Sequence, residues 1–365
     1  MGTLLHFHSV LLGILALLVI LIKAQDQSGF ISIDCGLPEN LNYSDKITTI
    51  NYTSDANFIN TGVSKRVQPI GNVTVKQQLE YVRSFPNGEK NCYKINVING
   101  TKYLIRAIFY YGNYDNLNKP SQFDLHLGAN VWDTVKSPLN VSLFQLREII
   151  YTPSLDYIQP CLVNTGNGTP FISAIELRPL NDTIYITDSA NSVLSLYTRL
   201  DIGSITNLQY RYKNDVYDRI WLPFQWIETK QLNTSNNLLV QNDYNPTAIV
   251  MSTAATPVNV SAPLQLEWVA DNVTDQYYIY LHFNEVVELT ANETRAFNIT
   301  VNGKLLYGPE IPVYQSVDTI YTTTPLTGAA RYLISLSKTE NSTLPPILNA
   351  VEIYRVKDFS QSETT

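Results

Sequence analysis

The chain has 365 residues, of which 25 are Lys or Arg and 32 are Asp or Glu, so its formal net charge is −7. This acidic balance argues against a nucleic-acid-binding protein, because such proteins need basic surfaces to neutralise phosphates. Hydrophobic residues make up 44% of the chain, which is enough for packed cores and argues against disorder. The three cysteines are too few for a disulfide-dense scaffold or a zinc-ligand array. Length favours about two domains.

Residues 1–24 predict a secretory signal peptide. An uncharged apolar run covers residues 10–22 and is followed by a lysine and Ala24. The run is shorter than the roughly 20 residues that cross a bilayer, and Ala24 offers a small residue for cleavage before Gln25. The alternative is an uncleaved signal-anchor, because the apolar character extends back to Leu4.

The acceptor pattern for N-linked glycans, Asn-x-Ser/Thr, occurs thirteen times and in both halves of the chain. The asparagines are Asn42, Asn51, Asn72, Asn99, Asn140, Asn167, Asn181, Asn233, Asn259, Asn272, Asn292, Asn298 and Asn341. We expect most of them on exposed loops or on solvent-facing strand positions, because a glycan cannot be buried. No later apolar run approaches the length of a membrane span. The sequence therefore predicts a glycoprotein that is secreted or lies at the extracellular face of the plasma membrane, and that is membrane-bound only through an uncleaved anchor or a further C-terminal region.

In chain order, short runs of alternating polar and aromatic or β-branched residues follow one another, separated by Gly, Pro and Asn-Gly pairs. This pattern predicts an all-β fold. Asn99-Gly100 and Asn302-Gly303 each lie between two such runs and predict β-hairpins. The segment 75–84 is the best candidate for a helix.

Three segments of the first half recur in the second half at a nearly constant offset of 174 to 176 residues. The matched segments are 103–109 with 278–283 at an offset of 175, 123–128 with 297–303, and 170–177 with 346–353, while the opening 33–36 loosely matches 200–203. A constant offset is typical of an internal duplication. Each copy has the size of a jelly-roll sandwich of two sheets. We therefore predict sandwiches at residues 25–181 and 182–358 and a tail at 359–365, with no single sheet continuing across Leu180.

All three cysteines follow the signal segment and lie in the first predicted sandwich. In an oxidising compartment we expect one disulfide, which stabilises by about 2 to 4 kcal/mol. The sequence leaves open which two of Cys35, Cys92 and Cys161 form it. Cys161 lies in an apolar run and is a candidate for a buried free thiol.

Catalytic motifs are not found in the sequence. No Gly-x-Ser-x-Gly elbow, phosphate-binding loop, dinucleotide fingerprint or His-Glu-x-x-His motif occurs. His126 and His282 lie in predicted strands without a neighbouring nucleophile or carboxylate motif, which favours packing roles. No motif marks a carboxylate pair for glycoside hydrolysis, and no acidic cluster has calcium-loop spacing. We therefore predict a protein that is not an enzyme and needs no cofactor or metal.

Two loop segments combine charged and aromatic side chains. In Asp218-Arg219-Ile220-Trp221 we predict a structural role, in which the adjacent charges pair and fix a loop beside a tryptophan plug.

The second segment has the chemistry of a sugar site, because aromatic faces stack on the C–H surfaces of sugars while Asp and Asn form hydrogen bonds around them. We predict ligand-binding roles for Tyr110, Tyr111, Asn113, Tyr114 and Asp115. The alternative is that these residues only fold the loop.

Several motifs resemble the malectin-like ectodomain of plant leucine-rich-repeat receptor kinases. They include Ile33-Asp34-Cys35-Gly36, Tyr111-Gly112-Asn113-Tyr114-Asp115, Cys161-Leu162-Val163-Asn164-Thr165-Gly166, Tyr217-Asp218-Arg219-Ile220-Trp221 and Leu344-Pro345-Pro346-Ile347-Leu348-Asn349-Ala350. The resemblance covers about residues 29–358 and implies two tandem malectin-like jelly-roll β-sandwiches outside a plant cell. The kinase motifs, namely a Gly-rich loop, His-Arg-Asp and Asp-Phe-Gly, do not occur, so kinase activity is not carried over.

The resemblance implies ligand binding. Carbohydrate recognition of a cell-wall polymer or glycan, in receptor-type signalling, is predicted by family-level analogy. The alternative is a secreted peptide or a co-receptor protein, bound in the cleft that a tandem pair creates, or a soluble decoy without sugar binding. A third possibility is an inert spacer shielded by glycans. Nucleic acid is not expected as a partner.

Overall fold

The computed structural model describes residues 27–67, 75–119, 121–137, 143–236 and 238–360. The predicted signal peptide and the acceptors Asn72 and Asn140 lie outside the described residues. The chain divides into a short N-terminal unit, Met1–Phe30, and one compact unit, Ile31–Thr365. In the short unit, a turn is closed by a hydrogen bond from the Phe30 amide to the Gln27 carbonyl.

Strands dominate the described chain, as the alternating pattern predicts. Those of the first half are β1 (Ile31–Asp34), β2 (Asn42–Ser44), β3 (Asn51–Ser54), β4 (Val63–Arg66), β5 (Tyr81–Ser84), β6 (Lys90–Cys92), β7 (Ile95–Asn96), β8 (Tyr103–Tyr110), β9 (Gln122–Leu127), β10 (Asn130–Lys136), β11 (Phe144–Tyr151), β12 (Tyr157–Ile158), β13 (Pro160–Asn167), β14 (Phe171–Ile172) and β15 (Ala174–Pro179). Those of the second half are β16 (Ser192–Asp201), β17 (Leu222–Pro223), β18 (Thr229–Asn233), β19 (Thr253–Pro257), β20 (Leu264–Val269), β21 (Tyr277–Phe283), β22 (Phe297–Val301), β23 (Lys304–Glu310), β24 (Asp318–Tyr321), β25 (Arg331–Lys338) and β26 (Ala350–Asp358). The described helices are two 3₁₀ turns, Asp55–Asn57 and Gln77–Leu79, and α1 (Ala248–Met251).

The best candidate for a helix, the segment 75–84, does not form one. Only the 3₁₀ turn Gln77–Leu79 is helical, and β5 follows it directly. In β5 half-buried and buried residues alternate, so Val82 and Ser84 face inward. Residues 81–84 therefore form a strand, because inward-facing and outward-facing side chains alternate along them.

Of the two predicted hairpins, one is confirmed. Asn302 and Gly303 both have positive φ, 49° and 78°, and join β22 to β23, as the two-residue hairpin turn requires. The hairpin at Asn99-Gly100 is wrong, because the strands on either side pair with other partners, β7 with β12 and β8 with β11 and β15.

The largest described sheet has 11 strands and contains the same arrangement twice. In the first half the neighbours run β3-β1-β15-β8-β11, and in the second half they run β17-β16-β26-β21-β24. In both copies the first pair is parallel and the other pairs are antiparallel. This repeat of strand order and direction is what a duplication produces.

The strand register corrects one repeat offset by one residue. Ala174 lies opposite Ile108, and its counterpart Ala350 lies opposite His282, so β8 and β21 correspond at an offset of 174 rather than 175. The loosely matched openings are also equivalent, because Asp34 lies opposite Ala174 and Asp201 opposite Ala350.

Each half packs its part of the long sheet against a second sheet of four strands, β10-β9-β13-β6 in the first half and β20-β25-β22-β23 in the second. In β9, residues Phe123 and Leu125 face the core and alternate with half-buried neighbours. Phe109 contacts Phe123 with ring centroids 5.7 Å apart, and their counterparts Phe283 and Phe297 are 5.5 Å apart. The two sandwich cores thus repeat the same aromatic contact.

The long sheet crosses from one half to the other. Ile149 and Ile150 of β11 pair with Ser195 and Leu194 of β16, so the expectation that no sheet continues across Leu180 is wrong. The physical reason is the length of β16, whose ten residues pair with β17 near one end and cover the edge of β11 near the other.

Two hydrophobic clusters lie almost entirely within one half each, and a third contains residues of both halves. One cluster lies within the first half except for Val193 and Phe359, and a second lies within residues 202–353. A third cluster combines Leu104 and Ile150 with residues of the second half such as Tyr354. The predicted boundary at 181/182 remains a prediction, but the two halves form one compact unit.

The disulfide joins Cys92 of β6 to Cys161 of β13, which face each other in the four-stranded sheet. Cys161 is therefore not a free thiol. The free cysteine is Cys35, which is buried at the end of β1.

Candidate functional site

The junction between the halves contains a buried network of charged side chains on one face of the long sheet. We call it the junction network. It consists of five arginines, five carboxylates and one histidine: Arg106, Arg178, Arg199, Arg211, Arg219, Glu148, Glu176, Asp215, Asp218, Glu352 and His282. Because burying an unpaired charge is costly, equal numbers of cations and anions are the arrangement that a buried site tolerates.

Glu148 connects the two halves within this network. Its carboxylate accepts hydrogen bonds from Arg106 of β8, at 2.8 Å, and from Arg199 of β16, at 2.7 Å. Arg199 in turn donates to Glu352 of β26 at 2.7 Å. Strands from both copies are therefore held by one continuous set of ion pairs.

The segment between β16 and β17 covers the network. Asp218 accepts hydrogen bonds from Arg178 at 2.7 Å and from Arg211 at 2.5 Å. Arg219 pairs instead with Asp215, at 2.9 Å. The predicted pair between Asp218 and Arg219 is thus wrong, because adjacent side chains point to different partners.

The predicted tryptophan plug is present. Trp221 is fully buried, and its indole Nε1 donates to Asp215 Oδ2 at 2.8 Å. The segment therefore folds over the network as a structural element.

Neighbouring cations keep Glu176 and Glu352 of the network ionised. Burial alone would raise the pKa of Glu176, but Arg211, Arg106 and Arg178 lower it to about 2. Burial would likewise raise the pKa of Glu352, but Arg199, the bond from His282 and Arg219 lower it well below its usual range. Burial lowers the pKa of His282, against the opposing effect of Glu352. Glu176 and Glu352 are therefore charged at mildly acidic pH, and the lowered pKa of His282 favours its neutral form.

Two open clefts lie at the same junction. Cleft A has a volume of about 780 Å³ and is lined by Lys102, Tyr151 and Pro153 of the first half, together with the segment 185–194 and Phe359. Cleft B has a volume of about 680 Å³ and is lined by Val131 of the first half together with residues 274–276 and 355–358. Asn191 and Ser192 line both clefts, so the two meet at the start of β16.

Cleft A is linked to the junction network through Tyr185. This residue lines the cleft, and its hydroxyl donates to Glu352 at 2.7 Å and accepts from Arg219 at 3.0 Å. Lys102 also lines cleft A, and its ammonium donates to the carbonyls of Asp182 and Ile184. A ligand in cleft A would therefore lie against a wall that the ion pairs hold in place.

The predicted ligand loop lies away from both clefts, and its rings point inward. Tyr110, Tyr111 and Tyr114 are buried, and Tyr114 packs its ring 5.4 Å from that of Phe171. The Tyr111 hydroxyl donates to Asp115 at 2.6 Å.

Asn113 closes the same loop by accepting the Asn118 amide at 2.8 Å. These contacts agree with the alternative that the segment folds the loop. The stacking surfaces that sugar binding requires are not exposed here, and a ligand role for the five residues stays an untested prediction.

Of the eleven described glycan acceptors, all are exposed except Asn298, which is half-buried on β22. His126 lies half-buried on β9, and His282 is buried on β21 with hydrogen bonds to Thr319 and Glu352. No group of three or more His, Cys, Asp or Glu side chains suited to a metal ion is found in the described parts of the chain.

Neither the clefts nor the junction network was predicted from the sequence. The network had a signal, because Arg106, Glu176 and Glu352 interrupt otherwise apolar strands, and a charge in such a strand indicates a buried partner. The clefts had none, since they depend on how the two halves meet.

Comparison with known proteins places this geometry among plant proteins. The family model of the malectin-like domain matches residues 33–356. The LRR receptor-like serine/threonine-protein kinase IOS1 of Arabidopsis thaliana is 44% identical over 361 residues, which cover 98% of this chain and 40% of that protein. The chain thus spans well under half the length of such relatives.

Solved structures share the fold. The ANX2 ectodomain from Arabidopsis thaliana superposes with a TM-score of 0.75 at 18% identity, covering 92% of this chain and 98% of that one. A structure of the plant peptide RALF23 in complex with FER and LLG2 gives a TM-score of 0.68 at 17% identity, covering 90% of this chain and 95% of that one. Among the described residues, no helix has the length and apolar character needed to cross a membrane.

Proposed function

The chain belongs to the malectin-like family of receptor ectodomains, and we propose that it is a non-catalytic module whose ligand is a peptide or a partner protein in receptor-type signalling. Its place is extracellular, either secreted or at the outer face of the plasma membrane. The observation that carries the proposal is the pair of clefts that both halves line and that meet at Asn191 and Ser192.

The dimensions of the clefts suit an extended ligand. Each volume, about 780 and 680 Å³, lies within the roughly 300–1,000 Å³ of small-ligand pockets, and the two are adjacent. An extended peptide can occupy successive pockets with alternate side chains. Cleft A rests through Tyr185 on the buried, ion-paired junction network, so its wall is pre-organised and little ordering is needed there on binding.

The complex of RALF23 with FER and LLG2 supports this choice by analogy. It contains a peptide and a partner protein on an ectodomain of the same fold, although an identity of 17% carries no residue-level comparison. The hypothesis of carbohydrate binding has less support, because the tyrosine rings of residues 110–115 are buried in the first sandwich.

The proposal is tested by blocking the clefts. Asn191 is exposed and lines both, so Asn191→Trp places a bulky ring where they meet while the backbone carbonyl still accepts the Phe359 amide. We expect peptides that the intact secreted chain retains from a random heptapeptide library to lose at least tenfold in affinity.

Asn60→Trp is the matched control, because Asn60 is exposed on the first half and lines neither cleft. If the intact chain retains no peptide, but binds cell-wall oligosaccharides with an affinity that Asn191→Trp leaves unchanged, the proposal is wrong.

A further inference from the structure

Cleft B has a floor of the long sheet and a wall from each half. Arg355 and Lys357 are two residues apart on β26 and therefore project from the same face of the sheet. The walls are formed by Val131 of β10 and by residues 274–276 before β21. Basic side chains thus rise from the floor between β10 of the first half and the segment before β21 of the second half.

Arg355 of this floor and Arg147, which lies near Lys357 but does not line the cleft, are each already paired with carboxylates. Arg355 pairs with Asp271 at 2.6 Å and with Asp275 at 2.8 Å, on the wall of the second half. Arg147 of β11 pairs with Asp133 at 2.6 Å, on the side of the first half. Each guanidinium therefore leans toward one wall and is held there.

Lys357 lies between these pairs and differs from them. It is half-buried in cleft B, and no hydrogen bond or ion pair to another described residue involves its ammonium group. Burial is the main reason that its pKa is lowered, and Arg355 and Arg147 act in the same direction against Asp133 and Asp271. Among the described residues the Lys357 ammonium has no ion-pair partner, although Asp358 also lines the cleft. A partly desolvated cation of this kind gains from pairing with an incoming anion.

We propose that cleft B binds an acidic peptide segment, with the Lys357 ammonium pairing with a carboxylate of the ligand. This deepens the peptide-binding function proposed above and depends on it. The lining also provides Asn191, Ser192 and Gln276, whose amide and hydroxyl groups can bond to a peptide backbone. No aromatic ring lines cleft B, so the stacking platform of a sugar site is missing there, which favours a peptide over an acidic polysaccharide.

The experiment reads the charge preference of the site. The full secreted chain is screened against a random heptapeptide library on beads, and the retained sequences are read out for the intact chain and for Lys357→Glu. We expect Asp or Glu to be enriched at one position for the intact chain, and Lys or Arg to replace them for Lys357→Glu. The best acidic peptide should lose about tenfold or more in affinity for Lys357→Gln, as expected for a charged hydrogen bond.

Lys304→Glu is the matched control, because Lys304 is exposed on the edge strand β23 and the charge change is the same. Its preference should equal that of the intact chain, and thermal unfolding should show all variants folded. Retained peptides without acidic enrichment, or with enrichment that Lys357→Glu leaves unchanged, overturn this inference while leaving peptide binding intact.

Retention of no peptide at all overturns this inference and, together with binding of cell-wall oligosaccharides that Asn191→Trp leaves unchanged, also overturns the proposed function. A uronic-acid oligosaccharide that binds in a Lys357-dependent way, in the absence of peptide binding, replaces the peptide by an acidic sugar and also overturns the inference.

Discussion

Glu148 accepts hydrogen bonds from Arg106 of the first half and Arg199 of the second, and all three side chains are fully buried. Removing the Glu148 charge would leave the five buried guanidinium groups of the junction network with only four carboxylates. The loss in free energy of unfolding exceeds the contribution of the ion pair itself, because the unpaired buried charge cannot be solvated by water. Single residues at the junction therefore matter more for stability than their number suggests.

We predict that Glu148→Gln lowers the free energy of unfolding by about 3 to 5 kcal/mol. Urea denaturation of the intact chain measures it. Glu267→Gln is the control, since Glu267 pairs with Arg331 at 2.6 Å on the exposed surface and should cost less than about 1 kcal/mol. Equal losses for the two variants would contradict a structural role for the network.

At the scale of elements, β1 and β16 correspond and both lead into a glycine. The Cβ of a residue replacing Gly36 would lie 2.3 Å from the Val82 carbonyl oxygen, and one replacing Gly203 would lie 2.3 Å from the Ala254 amide nitrogen. Both copies therefore need close backbone approach at the same point. This shared requirement explains why the loosely matched openings of the two repeats kept a glycine each.

Gly36→Ala should destabilise the chain by about 1 to 3 kcal/mol more than Gly166→Ala. The two glycines have similar φ, +85° and +81°, but nothing lies within 4 Å of a Cβ at Gly166, so the difference isolates the steric clash. Urea denaturation of both variants gives the comparison. The same cost at both positions would mean that backbone strain alone is responsible.

Many of the strands and turns could be predicted from the sequence, but some strand pairings and side-chain orientations could not. The duplication, the all-β class and the hairpin at Asn302-Gly303 could be read from local patterns, because spacing and turn chemistry are local. The hairpin at Asn99-Gly100 could not, since strand partners are chosen by packing across the sheets. The burial of the Tyr111 and Tyr114 rings could not be predicted either. The same polar and aromatic side chains can stabilise a loop or bind a ligand, so residue type does not distinguish the two roles.

At the scale of the whole molecule, two groups of carboxylates respond to pH in opposite directions. Burial raises the pKa of Asp34, raises that of Asp201 to about 6, and, with help from Asp318, raises that of Glu310 to about 7. The carboxylates Glu176 and Glu352 of the junction network have pKa values below their usual range. The first group favours the folded chain when protonated, and the second when ionised.

Stability should therefore be highest at mildly acidic pH. A carboxyl whose pKa is raised on folding binds a proton more tightly in the folded chain, so it adds stability that is lost as pH rises through its folded pKa. From pH 7 to pH 5 we expect the free energy of unfolding to rise on the order of 1 kcal/mol, allowing for solvent screening. Below about pH 4 it should fall, because the unfolded chain then binds protons at Glu176 and Glu352 while the folded chain still holds both carboxylates ionised.

Urea denaturation at pH 3, 5 and 7 measures this profile. Glu310→Gln should flatten the rise between pH 7 and pH 5, whereas Glu288→Gln, at an exposed position, should leave it unchanged. A stability that increases steadily from pH 5 to pH 7 would contradict the assignment of the raised group.

Phe359, just beyond the last strand of the second half, is buried in the core of the first, with its ring 5.9 Å from that of Tyr151 and its amide bonded to the Asn191 carbonyl. Cutting the chain between the halves would deprive the first of part of its own interior. Deletion mapping, the usual first step in assigning a ligand to one module of a receptor, would thus give misfolded fragments here. Partners of this protein should be assigned with intact chains that carry single surface changes.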